Sequence, residues 1–74
     1  MLIKCRFLKN EAPYGREYTY RSEVKVAVGD IVQINDSARG MVTETDVPEE
    51  EVKDFANKIK TIIGKVEEKN NDYN

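Results

Sequence analysis

The chain has 74 residues, 35% of them charged and 39% hydrophobic, and its formal net charge is −2 at pH 7. This length provides one thin hydrophobic core and excludes a second domain with a core of its own. The single cysteine excludes an internal disulfide, and the absence of histidine removes the commonest zinc ligand and proton shuttle.

The amino-terminal part predicts two strands joined by a turn. Apolar and basic residues alternate at the start of the chain, which is the period of a strand with one buried face. The inward residues of this first strand are Ile3, Cys5 and Phe7. Asparagine, proline and glycine then collect over residues 10–15, which predicts a turn. Tyr18 and Tyr20 alternate with polar residues and predict the second strand.

The middle of the chain predicts a tight turn and a hairpin. Glycine and aspartate at Gly29-Asp30 favour a turn that feeds a third strand, with Val32 and Ile34 directed inward. Residues 35–40 are polar and separate two apolar runs, so we expect residues 41–44 to return as the fourth strand.

The pattern then changes to the period of a helix. The apolar residues recur at spacings of three and four, namely Val52, Phe55, Ala56 and Ile59. We expect Asp46 to cap this helix, Pro48 to stand in its first turn, and the acidic residues 49–51 to interact favourably with its dipole. The β-branched run 61–66 predicts a last strand.

These elements together predict a mainly β (α+β) fold. Five short strands of this length cannot form a two-layer sandwich, so the sheet must curl to cover its apolar face. We therefore expect a small, five-stranded, partly open SH3-like barrel over residues 1–66, with one short helix before the last strand. Residues 67–74 are polar and acidic, which predicts a disordered tail.

Several side chains have both a structural and a functional interpretation. Tyr18 and Tyr20 are expected to pack in the barrel, although they could also stack on bases. Cys5 is expected to act as a small buried hydrophobe. Turn and capping roles are expected for the acidic residues Asp30, Asp36, Glu44 and Asp46. A basic face for phosphates, or an ordinary solvated face, could be formed by Lys4, Arg6, Arg16, Arg21 and Lys25.

Four segments in order carry a resemblance to a known family. They are Tyr18-Thr19-Tyr20, Val28-Gly29-Asp30-Ile31-Val32-Gln33-Ile34, Gly40-Met41-Val42-Thr43-Glu44 and Lys60-Thr61-Ile62-Ile63. With these segments the chain resembles the amino-terminal DNA 3′-end-binding domain of the bacterial primosomal replication helicase. The resemblance covers roughly two thirds of the chain, and it implies a pocket that holds the last nucleotide of a DNA strand.

The resemblance places this pocket at Tyr18-Thr19, Asn35-Asp36-Ser37 and Lys60. Thr19 stands where the family pattern has an acid, and 35–37 replace its Pro-Phe-Gly loop. The nearby basic residues complete the candidate nucleic-acid-binding set, which is Tyr18, Thr19, Arg21, Asn35, Asp36, Ser37, Arg39 and Lys60. We expect binding of single-stranded DNA or a DNA 3′ end, in replication or in the biology of a phage or mobile element.

A protein-interaction module is the alternative function. An exposed strand edge or the acidic hairpin loop would then engage a host replication or regulatory protein. We expect no enzymatic activity, because the chain offers neither an imidazole nor a second domain to shape an active site. No cofactor, metal or membrane partner is expected. The start of the chain lacks the apolar core of a signal peptide, so a reducing cytoplasm is the expected location.

Overall fold

The computed structural model describes residues 1–66 and confirms the mainly β architecture. The predicted tail over 67–74 lies outside the described residues. The five strands are β1 (Leu2–Lys9), β2 (Ala12–Arg21), β3 (Ile31–Asn35), β4 (Ala38–Glu44) and β5 (Gly64–Lys65). One 3-10 helix (Glu49–Lys58) stands between β4 and β5.

The strands form one antiparallel sheet in the order β2-β1-β4-β3-β5. The segment 60–66 contacts strands on both sides of this sheet. At one side the Arg21 backbone N–H donates to the Lys60 carbonyl at 2.9 Å. At the other side the Ile63 N–H donates to the Gln33 carbonyl at 2.8 Å. These bonds draw the open sheet into the curl that the strand count predicts.

The main core lies on the concave face of the sheet. Alternation along each strand sends every second side chain to this face, and the predicted inward residues Cys5, Val32 and Ile34 are all buried there. Phe7 and Tyr20 are partly buried and pack against the same cluster. The full set of buried core residues is Ile3, Cys5, Val26, Val32, Ile34, Val42 and Ile62.

A second, smaller core lies on the other face of β1. Leu2 and Ile3 are neighbours in one strand and point in opposite directions, yet both are buried. Leu2 packs with Val47 and Val52, and Ala56 and Ile59 cover the cluster. Val47 precedes the helix and Val52 lies in it, an arrangement that fixes the angle at which the chain enters a helix. The helix therefore covers β1 from outside and does not line the barrel.

Three details predicted for the helix are wrong. Asp46 does not cap it, because the helix begins at Glu49 and no side chain bonds to its first turn. Pro48 stands just before the helix, in extended conformation. Phe55 does not join the buried face, since its backbone leaves helical geometry (φ −139°, ψ 26°) and 44% of the residue stays exposed.

The turn between β1 and β2 is shorter than predicted. Lys9 pairs with Ala12, so the turn consists of Asn10 and Glu11 alone, and 13–15 belong to β2. Both turn residues have positive φ, 53° and 67°. This left-handed conformation is what a two-residue hairpin turn of type I′ requires at both positions. Asparagine tolerates this conformation, whereas glutamate is strained in it.

Replacing Glu11 by glycine is expected to stabilise the domain by about 0.5 kcal/mol. Relief of the left-handed strain, about 1–2 kcal/mol, exceeds the extra chain entropy that glycine loses on folding, about 0.5–1 kcal/mol. Urea unfolding followed by circular dichroism measures the difference. Glu11→Ala is the matched control, because it removes the same carboxylate and keeps the strain. An equal gain in both variants would assign the effect to charge.

Candidate functional site

Two adjoining clefts form the candidate site. One has a volume of about 540 Å³ and is lined by Tyr20, Ile34, Asn35, Asp36, Lys60, Thr61 and Ile63. The other has a volume of about 260 Å³ and is lined by Tyr18, Thr19, Tyr20, Phe55, Lys58, Ile59 and Lys60. Tyr20 and Lys60 line both. We call the two clefts together the tyrosine–lysine groove.

Backbone pairing brings the walls of this groove together. The Arg21 backbone accepts from the Ile62 N–H and donates to the Lys60 carbonyl, both at 2.9 Å, which holds Lys60 beside the end of β2. The Ile63–Gln33 bond places the same segment next to the β3–β4 turn. The groove therefore joins parts of the chain that are about forty residues apart in sequence.

Aromatic side chains are exposed along the smaller cleft. Tyr18 was expected in the core, but 45% of it is exposed, because β2 has β1 on one side only at this position. Its ring stands edge-on to Phe7, with ring centroids 5.5 Å apart. Tyr20 packs against the core, as predicted, and is half-buried; burial raises the pKa of its hydroxyl. Phe55 lines the same cleft.

Two lysines at the groove form no ion pair with an acidic residue in the described part of the chain. Among the four ion pairs that residues 1–66 form, none includes Lys58 or Lys60. Some other basic side chains are less available to a ligand, because acidic residues pair with them. Lys4 contacts Glu44 and Glu51 at 3.6 and 3.5 Å, and these two carboxylates, Glu44 foremost, raise its pKa. The basic face predicted along the first two strands is thus partly neutralised.

The groove gathers five of the eight residues predicted for nucleic-acid binding, which are Tyr18, Thr19, Asn35, Asp36 and Lys60. Arg21 is adjacent in sequence, but its guanidinium donates to both carboxylate oxygens of Glu49 at 3.0 and 3.3 Å. Ser37 and Arg39 line a different cleft. Phe55 and Lys58 were missed, because a helical period assigned Phe55 to the core and no motif marked Lys58.

A third cleft, which we call the outer-face cleft, lies on the opposite side of the sheet. Its volume is about 630 Å³, and it is lined by Leu8, Glu11, Ile31, Gln33, Asp36, Ser37 and Arg39. Alternation explains the separation, because Ile31 and Gln33 face away from the side where Val32 and Ile34 are buried. Asp36, at the turn, lines both this cleft and the groove.

Two other ionisable side chains, Cys5 and Asp30, have structural roles. Burial raises the pKa of the Cys5 thiol to about 11, so the reactive thiolate is scarce at neutral pH. Asp30 serves a turn, as predicted. Its carboxylate accepts the Ala27 N–H at 2.8 Å, and this bond, with Lys65 nearby, lowers the pKa of Asp30.

Within the described range no group of three or more acidic or cysteine side chains is placed to hold a metal ion. No helix there has the length and hydropathy of a membrane span.

Comparisons with known proteins leave the resemblance to the primosomal helicase domain as a prediction based on the four sequence segments. The chain matches no protein-family model, no curated protein and no solved structure.

Proposed function

We propose that this domain binds single-stranded nucleic acid in the tyrosine–lysine groove. One observation carries the proposal: the groove places exposed aromatic rings, Tyr18 and Phe55, beside two lysines that form no ion pair in residues 1–66. Proteins that bind single strands combine aromatic rings, on which bases stack, with cationic side chains that track the phosphates.

The size of each contribution predicts a salt-sensitive interaction of modest affinity. Stacking of one base on an aromatic side chain contributes about 1–3 kcal/mol. Two lysines neutralise about two phosphates, which gives a slope of about −1.4 for the logarithm of affinity against the logarithm of salt concentration. The net charge of −2 opposes binding at long range, so recognition must be local to the groove.

The resemblance adds a preference for a free 3′ end to this proposal. Thr19 lacks the carboxylate of the family pattern, but Asp36 lines the larger cleft of the same groove. A carboxylate accepts a hydrogen bond from a terminal hydroxyl and repels a terminal phosphate. The proposal therefore includes tighter binding of a strand that ends in a 3′-hydroxyl than of one that ends in a 3′-phosphate.

Replacing Tyr18 or Lys60 by alanine is expected to weaken binding of a short oligothymidine by about tenfold. For Tyr18 this factor corresponds to about 1.4 kcal/mol, which lies within the range for one stacked base. For Lys60 the loss comes from one phosphate contact. Fluorescence anisotropy with a 5′-labelled strand, carrying either a 3′-hydroxyl or a 3′-phosphate, gives the affinities at low and moderate salt.

Tyr14→Ala and Lys53→Ala are the matched controls, because both residues are exposed and lie outside the groove. These variants should bind as the natural chain does. Absence of binding at low salt, or an equal loss in the control variants, would contradict the groove as the binding site. Equal affinity for the two strand ends would remove only the proposed role of Asp36.

A further inference from the structure

Arg39 is held in place by a side-chain relay at the outer-face cleft. Its Nε donates to Gln33 Oε1 at 3.2 Å. Gln33 is itself fixed, since its Nε2 donates to the carbonyls of Asn35 at 2.7 Å and Ala38 at 3.1 Å. The two carbonyl acceptors determine which way the amide points, so Oε1 faces the arginine.

This relay leaves the outer edge of the guanidinium free. Both Nη atoms lack a hydrogen-bond partner within residues 1–66, and Arg39 takes part in none of the four ion pairs there. Arg21 differs, because Glu49 occupies its two Nη atoms. A guanidinium that is held in place and has a free edge can donate hydrogen bonds to both oxygens of a carboxylate.

The side chains around Arg39 determine which carboxylate-bearing ligand fits the cleft. Leu8 and Ile31 are half-buried and give the otherwise polar cleft one apolar patch. Glu11 and Asp36 also line it, so three charged side chains leave the cleft with a net negative charge. A nucleic-acid strand, with a charge on every nucleotide, is repelled there. A ligand with one carboxylate, an apolar group beside it and a cation further back matches the cleft.

We propose that the outer-face cleft binds the carboxyl terminus of a partner protein. The terminal carboxylate pairs with Arg39, the apolar last side chain packs on Leu8 and Ile31, and a basic residue upstream lies near Glu11 and Asp36. Capture of a chain terminus by its charged end is a recurring form of peptide recognition. The cleft shares Asp36 with the tyrosine–lysine groove, but its anchor, Arg39, lies outside the groove, so the proposal does not depend on the function proposed for the groove.

A pooled peptide library tests the proposal. Peptides with a fixed labelled amino-terminal part and randomised last three residues are offered to the full chain, once as free acids and once as carboxyl-terminal amides. We expect enrichment of free acids with an apolar last residue and a basic residue before it. The best binder should lose at least tenfold in affinity on amidation, and a similar factor with Arg39→Ala.

Control variants show whether the guanidinium of Arg39 and its orientation are what the peptide requires. Arg16→Ala removes an exposed arginine outside the cleft and should leave peptide affinity unchanged. Gln33→Leu should weaken binding by releasing Arg39, and circular dichroism reports whether that variant is folded. An excess of oligothymidine should not displace the peptide. Failure to enrich any free acid, equal binding of acid and amide, or full binding by Arg39→Ala would each overturn the proposal.

Discussion

Replacement of Ile3 by alanine is expected to lower the free energy of unfolding by about 3–4 kcal/mol. Ile3 has no exposed surface and belongs to the main core. Its truncation removes apolar contacts and leaves a cavity, and such substitutions cost about 2–5 kcal/mol. A domain of this size has a total stability of about 4–10 kcal/mol, so a large part of it is lost.

Urea unfolding, followed by circular dichroism, measures this effect. Ile63→Ala is the matched control, because the same atoms are removed from a residue that is 62% exposed. The control should change the midpoint little. Equal midpoints for the two variants would show that the main core does not depend on the face of β1 that carries Ile3.

Replacement of Gly40 by alanine is expected to destabilise the fold by about 2 kcal/mol, by overpacking. Gly40 lies in β4 between Phe7 of β1 and Val32 of β3. A Cβ atom there would lie 2.6 Å from Ile34 Cδ1 and 2.9 Å from the Arg6 carbonyl oxygen. The side chain could move at some cost, but the carbonyl belongs to the backbone of the neighbouring strand.

Gly64→Ala provides the control for this prediction. Gly64 lies in the same sheet, and a Cβ atom there would have no neighbour within 4 Å. Its replacement should leave stability unchanged or slightly higher, because strands disfavour glycine. Ile34→Val removes the Cδ1 atom and should recover part of the loss when it is combined with Gly40→Ala. A Gly40→Ala variant as stable as Gly64→Ala would contradict the close packing of β4 on β1.

The strands were predictable because their signal is local. Alternating apolar residues in β1 and β3 specify a period of two and a buried face, and each predicted inward residue is buried or packs on the core. The turn before β3 was predictable for a similar reason. Gly29 has φ 96° and Asp30 accepts a backbone hydrogen bond, which are the ordinary uses of these residues in turns.

The position of the helix in the chain was predictable, but the set of residues on its buried face was only partly so. The apolar spacing located it between β4 and β5, but that spacing assumes ideal helical geometry. The helix is of the 3-10 type and its backbone breaks at Phe55, so residues three and four apart do not share one face throughout. Phe55 therefore lines the groove, whereas Val52 lies in the smaller core.

The availability of each charged side chain was not predictable from composition. Arg21, Arg39 and Lys60 look equivalent in a sequence, since each is a basic residue near a turn or strand end. The fold gives them different partners: Glu49 for Arg21, Gln33 for Arg39, and no acid in residues 1–66 for Lys60. Each pairing depends on residues that are distant along the chain or on the direction of a strand.

By itself the sequence determined the fold class, the order of the strands and helix, and most inward residues, because these follow from short-range periodicity and turn chemistry. Only the tertiary structure decided that residues 60–66 bridge β2 and β3, that Leu2 starts a second core, and that the candidate residues divide between two faces. Those features arise from contacts between segments far apart in the chain, which a local pattern does not encode.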